Sequence, residues 1–116
     1  MKPLPNIQTL TNNHEFRRAY HRGKSFRDPA LVTYCNKNRA GICRIGITAS
    51  KKIGNAVQRN RARRVIMAAF RAVHEEIHAG VDIVFVARSK TVRMKSTEIE
   101  LVMRKQLALA GLLKKN

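Results

Sequence analysis

The chain has 116 residues, 44% of them hydrophobic, and 24 Lys and Arg against 7 Asp and Glu give it a formal net charge of +17. The length and the apolar content indicate one domain, residues 1–116, with a single modest core. So much positive charge opposes compaction and predicts a polyanionic partner, whereas the apolar runs are too short to span a membrane. Because residues 1–10 also lack the apolar centre of a signal peptide, we expect a nucleic-acid partner in the cytoplasm, no membrane contact and no obligate protein partner.

The N-terminal region is predicted to be a loose arm followed by a short helix. Residues 1–10 contain two prolines and little pattern. Residues 14–21 place Phe16, Ala19 and Tyr20 on one helical face. The two aromatic side chains have two interpretations: they pack in the core, or they border a groove in which unpaired bases stack. The second is favoured by the basic residues around them, which are Arg17, Arg18, Arg22 and Lys24.

Three strands are predicted next, over residues 24–27, 30–35 and 43–49. Residues 36–41 are polar and contain a glycine, which is typical of a hairpin loop between the second and third of these strands. Whether Tyr34 joins Phe16 and Tyr20 in one groove depends on the register of that hairpin, which the sequence leaves open. Cys35 and Cys43, expected as thiols in a reducing compartment, can face each other if their strands are neighbours.

A long amphipathic helix is predicted over residues 56–78, with Asn55 as N-cap and Gly80 as C-cap. A rotation of about 100° per residue puts its apolar residues on one side: Ala62, Val65, Ile66, Ala69, Phe70, Val73 and Ile77. The opposite side carries Asn60, Arg63, Arg64 and Arg71. Residues 50–71 hold no acid and seven cations: Lys51, Lys52, Arg59, Arg61, Arg63, Arg64 and Arg71. Guanidinium forks match phosphate geometry, so this helix is predicted to dock on the protein with one side and to bind anions with the other.

The C-terminal part is predicted to contain one strand and one helix. Residues 81–87 are almost continuously apolar, which is typical of a strand covered on both faces. A basic loop follows over residues 88–95. Thr97 and Glu100 have the spacing of a capping box, and the last helix is predicted to end near residue 113.

His74, Glu75 and His78 match the pattern H-E-x-x-H, which on a helix can bind zinc with the glutamate as general base. The two histidines fall in the last turn of the predicted helix, and no third ligand is evident. We interpret them as histidines that interact with the helix dipole or with nucleic acid, and we predict neither a metal site nor a catalytic residue in this chain. A metallopeptidase is the alternative, and zinc in protein purified without added metal would revive it.

The stretch from Ser50 to Arg64, SKKIGNAVQRNRARR, resembles the RNR signature of the bacterial ribonuclease P protein subunit. The resemblance extends over nearly the whole chain, although Met67 stands where relatives often carry another arginine. It implies an α+β fold with the order αβββαβα, in which helices pack on a four-stranded mixed sheet and the βαβ crossover has an unusual left hand.

The resemblance also implies a function: the chain assists the endonucleolytic removal of the 5′ leader from precursor tRNA. The catalytic centre and its Mg²⁺ then belong to the RNA subunit and to the RNA–protein complex. The implied contacts to ribonuclease P RNA are Lys51, Lys52, Arg59, Asn60, Arg61, Arg63, Arg64 and Arg71. The implied contacts to the leader are Phe16, Arg17, Tyr20 and Tyr34.

A general RNA chaperone or a ribosomal-type RNA-binding protein is a further alternative. Such a protein would bind many RNAs with similar affinity and would leave cleavage by the RNA subunit unchanged. The two classes are therefore separated by an assay of precursor tRNA cleavage.

Overall fold

The computed structural model describes residues 7–10 and 13–114, which form five strands and three α-helices. The strands are β1 (Ile7–Thr9), β2 (Lys24–Asp28), β3 (Leu31–Lys37), β4 (Cys43–Thr48) and β5 (Val81–Ala87). The α-helices are α1 (Asn13–Arg22), α2 (Ala56–Val73) and α3 (Ser96–Leu109). Short 3-10 helices lie at Lys51–Ile53, His74–Glu76 and Ser89–Arg93.

The strands form one mixed sheet in the order β1-β4-β5-β3-β2. β5 is parallel to β4 and antiparallel to β3, so the β4–α2–β5 unit is a crossover between neighbouring parallel strands. Six of the seven β5 residues are buried, as expected for a central strand with elements on both faces. The α+β class and the order αβββαβα of the larger elements are confirmed, and the left hand of the crossover stays a prediction.

The two faces of the sheet carry different layers. Ile45, Ile83 and Phe85 face α2 and α3 and belong to the main buried cluster, in which the rings of Phe70 and Phe85 lie 5.8 Å apart. On the opposite face, a smaller cluster around Val84 packs under α1. The structure therefore separates α1 from α2 by the thickness of the sheet. No helix in the described residues is long and apolar enough to cross a membrane.

The prediction of a loose arm over residues 1–10 is wrong for its last part. β1 pairs in parallel with β4, with Thr9 opposite Ile45, and it adds a fifth strand to the predicted four. The physical reason is that β4 would otherwise present an unpaired edge along its whole length. Residues 1–6 lie outside the described residues.

The predicted hairpin between β3 and β4 is also wrong, because β5 lies between these strands. Cys35 is opposite Ile83, which in turn is opposite Ile45. Two strand spacings, about 10 Å, therefore separate the strands that carry the two cysteines, and Cys43 lies two residues further along β4 from Ile45, so a disulfide cannot reach between them. Both are buried as free thiols, and burial raises the pKa of Cys35 to about 12 and that of Cys43 to about 11.

Two helices end earlier than predicted. α2 ends at Val73 because the chain tightens into a 3-10 turn and Ile77 becomes extended, where it pairs with Leu113. Gly80, with φ of 82°, therefore lies in the turn before β5 and is not the C-cap of α2. α3 ends at Leu109. Its predicted capping box of Thr97 and Glu100 is wrong, because the N-cap is Lys95, whose backbone N–H donates to the Glu98 carboxylate at 3.0 Å and whose side chain has no acceptor to complete a box.

Candidate nucleic-acid interface

The start of α2 is fixed by a reciprocal pair of hydrogen bonds. The Asn55 side chain accepts from the Gln58 backbone N–H at 2.9 Å, and the Gln58 side chain accepts from the Asn55 backbone N–H at 2.9 Å. Gly54, with φ of 148°, leaves the space that the Gln58 amide occupies. The predicted N-cap is confirmed. It holds the 3-10 turn with the exposed Lys51 and Lys52 next to the positive end of the α2 dipole.

The predicted division of α2 into two sides is confirmed. Its inward residues are buried: Ala62, Val65, Ile66, Ala69, Phe70 and Val73. Asn60, Arg61, Arg63 and Arg64 are exposed, and Arg59 and Arg71 are half-buried. Within residues 7–10 and 13–114, the ion pairs made by Arg or Lys involve Arg44 and Arg104 and none of Arg59, Arg61, Arg63 and Arg64. Arg59, Arg61, Arg63 and Arg64 thus give α2 an outward positive charge that no acid in the described residues neutralises.

The exposed arginines differ in how much of their hydrogen-bonding capacity the protein already uses. Arg61 donates from Nε to the Val92 carbonyl at 2.8 Å and from Nη2 to the Met94 carbonyl at 3.4 Å, so it ties the segment after β5 to α2. Arg63 donates to the Asn60 Oδ1 at 3.3 Å, whereas Arg64 has no partner in the described residues. Arg63 and Arg64 therefore keep most of their donors for an external anion, and Arg61 keeps fewer.

A second basic cluster lies at the carboxyl ends of β4 and β5. Lys52, Arg88 and Lys90 line a cleft of about 520 Å³ there, together with Val86 on the α1 face of the sheet. The sequence predicts only that Arg88 and Lys90 lie in a basic loop. Their proximity to Lys52 follows from the parallel β4–α2–β5 crossover, which brings the two carboxyl ends to the same edge.

The three aromatic candidates lie on the α1 face of the sheet. Tyr34, Val84 and Gly46 occupy matching positions on β3, β5 and β4, and Phe16 covers Gly46 so closely that an added Cβ would lie 2.5 Å from the Phe16 Cε1. The Tyr20 and Tyr34 rings meet edge to face with centroids 4.9 Å apart. Tyr20 is 40% exposed, whereas Phe16 and Tyr34 are half-buried. The structure thus brings the aromatic side chains to one face, where Tyr20 offers the most accessible ring.

An ion-pair network that the sequence pattern did not predict attaches α1 to the sheet. Arg44 makes a bidentate pair with the buried Asp82, from Nε at 2.7 Å and Nη2 at 2.8 Å, and its Nη1 reaches Glu15 of α1 at 3.2 Å. The hydrogen bonds that Arg44 donates to the Asp82 carboxylate raise the pKa of Arg44 above its usual value. A signal was present, since Asp82 is the one acid in an apolar strand, and a buried carboxylate requires a cationic or hydrogen-bonding partner.

The H-E-x-x-H pattern does not form a metal site in the structure. Because α2 ends at Val73, His74 and His78 are not on successive turns of one helix. The His74 Nδ1 lies 3.0 Å from the Arg71 carbonyl, and His78 is exposed. No group of three or more His, Cys, Asp or Glu side chains in the described part of the chain is arranged to hold a metal ion.

Comparison with known proteins gives one consistent family. The sequence model of the family Ribonuclease P matches residues 4–111. The chain is 48% identical over 80 residues to the ribonuclease P protein component of Clostridioides difficile, covering 68% of this chain and 70% of that protein. It is 39% identical over 104 residues to the protein of the same name from a Clostridium botulinum strain, covering 89% of this chain and 94% of that protein.

Solved structures agree with the sequence comparison. The RNase P protein of Staphylococcus aureus superposes with a TM-score of 0.80 at 32% identity, over 91% of this chain and 97% of that one. The RNase P protein of Thermotoga maritima superposes with a TM-score of 0.67 at 29% identity, over 89% of this chain and 94% of that one. The chain therefore belongs to the ribonuclease P protein family, the protein component of the endoribonuclease that processes the 5′ end of tRNA.

Proposed function

We propose that this chain uses two surfaces for two RNAs: the outward side of α2 binds ribonuclease P RNA, and the aromatic face beside α1 binds the 5′ leader of precursor tRNA. The observation that carries the proposal is that the two surfaces lie on opposite faces of the sheet. Arg61, Arg63 and Arg64 of α2 lie on one side of the sheet with no acid partner in the described residues, and the Tyr20–Tyr34 pair lies on the other.

The RNA-subunit surface comprises the residues that the resemblance implied: Lys51, Lys52, Arg59, Asn60, Arg61, Arg63, Arg64 and Arg71. Arg63 and Arg64 contribute most in this proposal, because their donors are largely unused by the protein. Arg61 acts partly inside the protein, through its bonds to Val92 and Met94. Guanidinium groups of this kind bind phosphates bidentately.

The leader surface comprises Phe16, Arg17, Tyr20 and Tyr34. A single-stranded leader offers unstacked bases, and stacking on aromatic rings tolerates any base. Tyr20 is the accessible ring, Tyr34 supports it edge to face, and the exposed Arg17 supplies charge for the leader backbone. Arg88 and Lys90, which line the neighbouring cleft together with Val86 of the α1 face, extend this charge toward the carboxyl ends of β4 and β5.

In this proposal the chain supplies binding and the RNA subunit supplies the chemistry. The catalytic centre and the Mg²⁺ ions that assist hydrolysis belong to the RNA and the RNA–protein complex, because the chain offers cations and aromatic rings where a protein nuclease would offer carboxylates. The complex works in the cytoplasm, needs no membrane and has no obligate protein partner.

The test is cleavage of precursor tRNA by a bacterial ribonuclease P RNA at low Mg²⁺, with and without this protein. We expect the protein to restore cleavage at the mature 5′ end, since added leader contacts and neutralised phosphates reduce the Mg²⁺ that the RNA requires. If the RNA binds the protein and cleavage stays absent, the chain is a general RNA-binding protein and the proposed assistance is wrong.

A further inference from the structure

A cleft of about 350 Å³ lies between α1, α2 and the edge of the sheet. Phe16, Arg63 and Arg64 stand at its border, and the proposed contacts give its apolar interior no role. It opens beside β4 just beyond the end of β1, where Leu10 and Ile47 form part of the floor. Phe16 borders it from α1 and Met67 from α2. Its interior is mostly apolar, although it opens on the basic side of α2.

Two guanidinium groups stand beside this apolar cleft. Arg63 and Arg64 both line it, and no Asp or Glu does among the described residues. Arg64 has no hydrogen bond or ion pair in the described chain, and Arg63 has only the bond to Asn60. The cleft therefore combines an apolar interior with two phosphate-binding groups.

We propose that this cleft takes the base of one unpaired nucleotide of the RNA that α2 binds, with Arg63 and Arg64 on the phosphates at either side of that nucleotide. The inference rests on the proposed function of α2 as the RNA-subunit surface. An apolar cavity of this size is typical of small-ligand sites, and a base that leaves its stack can insert its flat face between apolar side chains.

A base-paired helix does not explain the same features. In A-form RNA the bases are stacked inside, and mainly phosphates and 2′-hydroxyls reach a protein surface. Phosphates placed against Leu10, Ile47 and Met67 would lose hydration without gaining hydrogen bonds. An unpaired nucleotide satisfies both parts of the site, because its base is apolar on its faces and its flanking phosphates are anionic.

Met67 distinguishes a contact to an unpaired base from a contact to phosphates alone. It is half-buried, packs against the core and forms the α2 wall of the cleft. Its polarizable thioether makes favourable contacts with aromatic rings, so it suits the face of a base. An arginine at this position would add a charge for phosphates but would fill the cleft.

The first experiment measures binding of ribonuclease P RNA to the full-length protein and to Met67→Arg. We expect Met67→Arg to bind about tenfold more weakly, the loss of one stacked base. Leu101→Arg, which adds the same charge at a 70% exposed position of α3, should bind at least as tightly as the unchanged chain. Met67→Leu, which keeps an apolar wall, should bind within about twofold of it, and thermal unfolding shows whether each variant is folded. Equal or tighter binding by Met67→Arg would overturn the proposal.

The second experiment observes the methyl group of Met67 directly. Protein labelled with ¹³C at its methionine methyl groups is titrated with a single-stranded adenylate tetramer and with an abasic tetramer that has the same phosphates. We expect an upfield shift of the Met67 methyl signal with the base-bearing tetramer only, while the signal of the buried Met103 stays in place. A Met67 signal that responds equally to both probes, or to neither, contradicts the proposal.

These readouts are independent of tRNA cleavage. A base-dependent Met67 shift in a protein that fails to assist cleavage would retain the nucleotide site and reject the proposed function. Restored cleavage together with full RNA affinity of Met67→Arg would retain the proposed function and reject the nucleotide site.

Discussion

At the scale of single residues, the aromatic face depends on one position that has no side chain. Gly46 lies in β4 beneath the Phe16 ring, and it has no need of special backbone angles, so its role is steric. A larger residue would lift Phe16 and with it the start of α1. Phe16 thus serves packing at least as much as binding, whereas Tyr20 has an accessible ring.

Gly46→Ala is expected to destabilise the protein by about 1–3 kcal/mol, the usual cost of overpacking, because the new Cβ would lie 2.5 Å from the Phe16 Cε1. Urea unfolding of the variant measures this cost. In a Phe16→Ala background the same substitution should cost much less, since its steric partner is gone. An equal cost in both backgrounds would show that Phe16 does not occupy this space.

Tyr20→Ala is expected to weaken binding of precursor tRNA to the holoenzyme by about tenfold, the loss of one stacked base. Binding of mature tRNA should stay nearly unchanged because it has no leader. Tyr20→Phe is the matched control and should retain most of the affinity. Equal losses for the two RNAs would indicate that Tyr20 acts through the fold, and the leader contact would be wrong.

At the scale of elements, α2 serves both the core and the RNA-binding surface. Its apolar side fills the core, its outward side presents the cations, and Met67 lies at the boundary between them. α1 is held differently: Arg44 connects Glu15 of α1 to Asp82 of β5. The position of the α1 aromatic residues relative to the sheet is therefore set by these ion pairs as well as by packing.

Asn55→Ala is expected to destabilise the protein by about 1 kcal/mol through the loss of the N-cap. The physical reason is that the Gln58 backbone N–H loses its acceptor at 2.9 Å. Asn55→Ser restores an acceptor at the same position and should recover most of the stability. Chemical unfolding of the three proteins checks this, and an unchanged midpoint for Asn55→Ala would mean that the cap contributes nothing.

At the scale of the whole molecule, the distribution of charge decides what the protein can bind. The chain carries a net charge of +17, and the ion pairs of Arg44 and Arg104 leave Arg61, Arg63 and Arg64 of α2 without an acid partner in the described residues. RNA binding should consequently weaken steeply as salt increases, because each neutralised phosphate releases counterions.

Arg63→Ala is expected to weaken binding of ribonuclease P RNA and to reduce the slope of log K against log salt concentration by about one. Arg104→Ala is the matched control, since Arg104 pairs with Glu76 at 2.7 Å and with Glu100 at 2.9 Å. Removal of Arg104 should leave the slope nearly unchanged. The phosphate contact of Arg63 would be refuted by a slope equal to that of the unchanged chain.

The sequence alone was sufficient for features that depend on local pattern. The two sides of α2, its N-cap at Asn55 and the burial of β5 on both faces follow from residue spacing, capping chemistry and a continuous apolar run. The cationic surface was equally predictable, because the absence of nearby acids in the chain leaves little to neutralise it.

Only the tertiary structure decided which distant segments meet. Four features join residues that lie far apart in the chain. They are the pairing of β5 between β3 and β4, the ion pair of Arg44 with Asp82, the packing of Phe16 over Gly46 and the cleft at Met67. Such contacts are selected by the packing of whole elements rather than by local propensity. Helix ends moved for the same reason: α2 stops at Val73 because Ile77 pairs with Leu113, a partner that no local pattern around residue 77 could reveal.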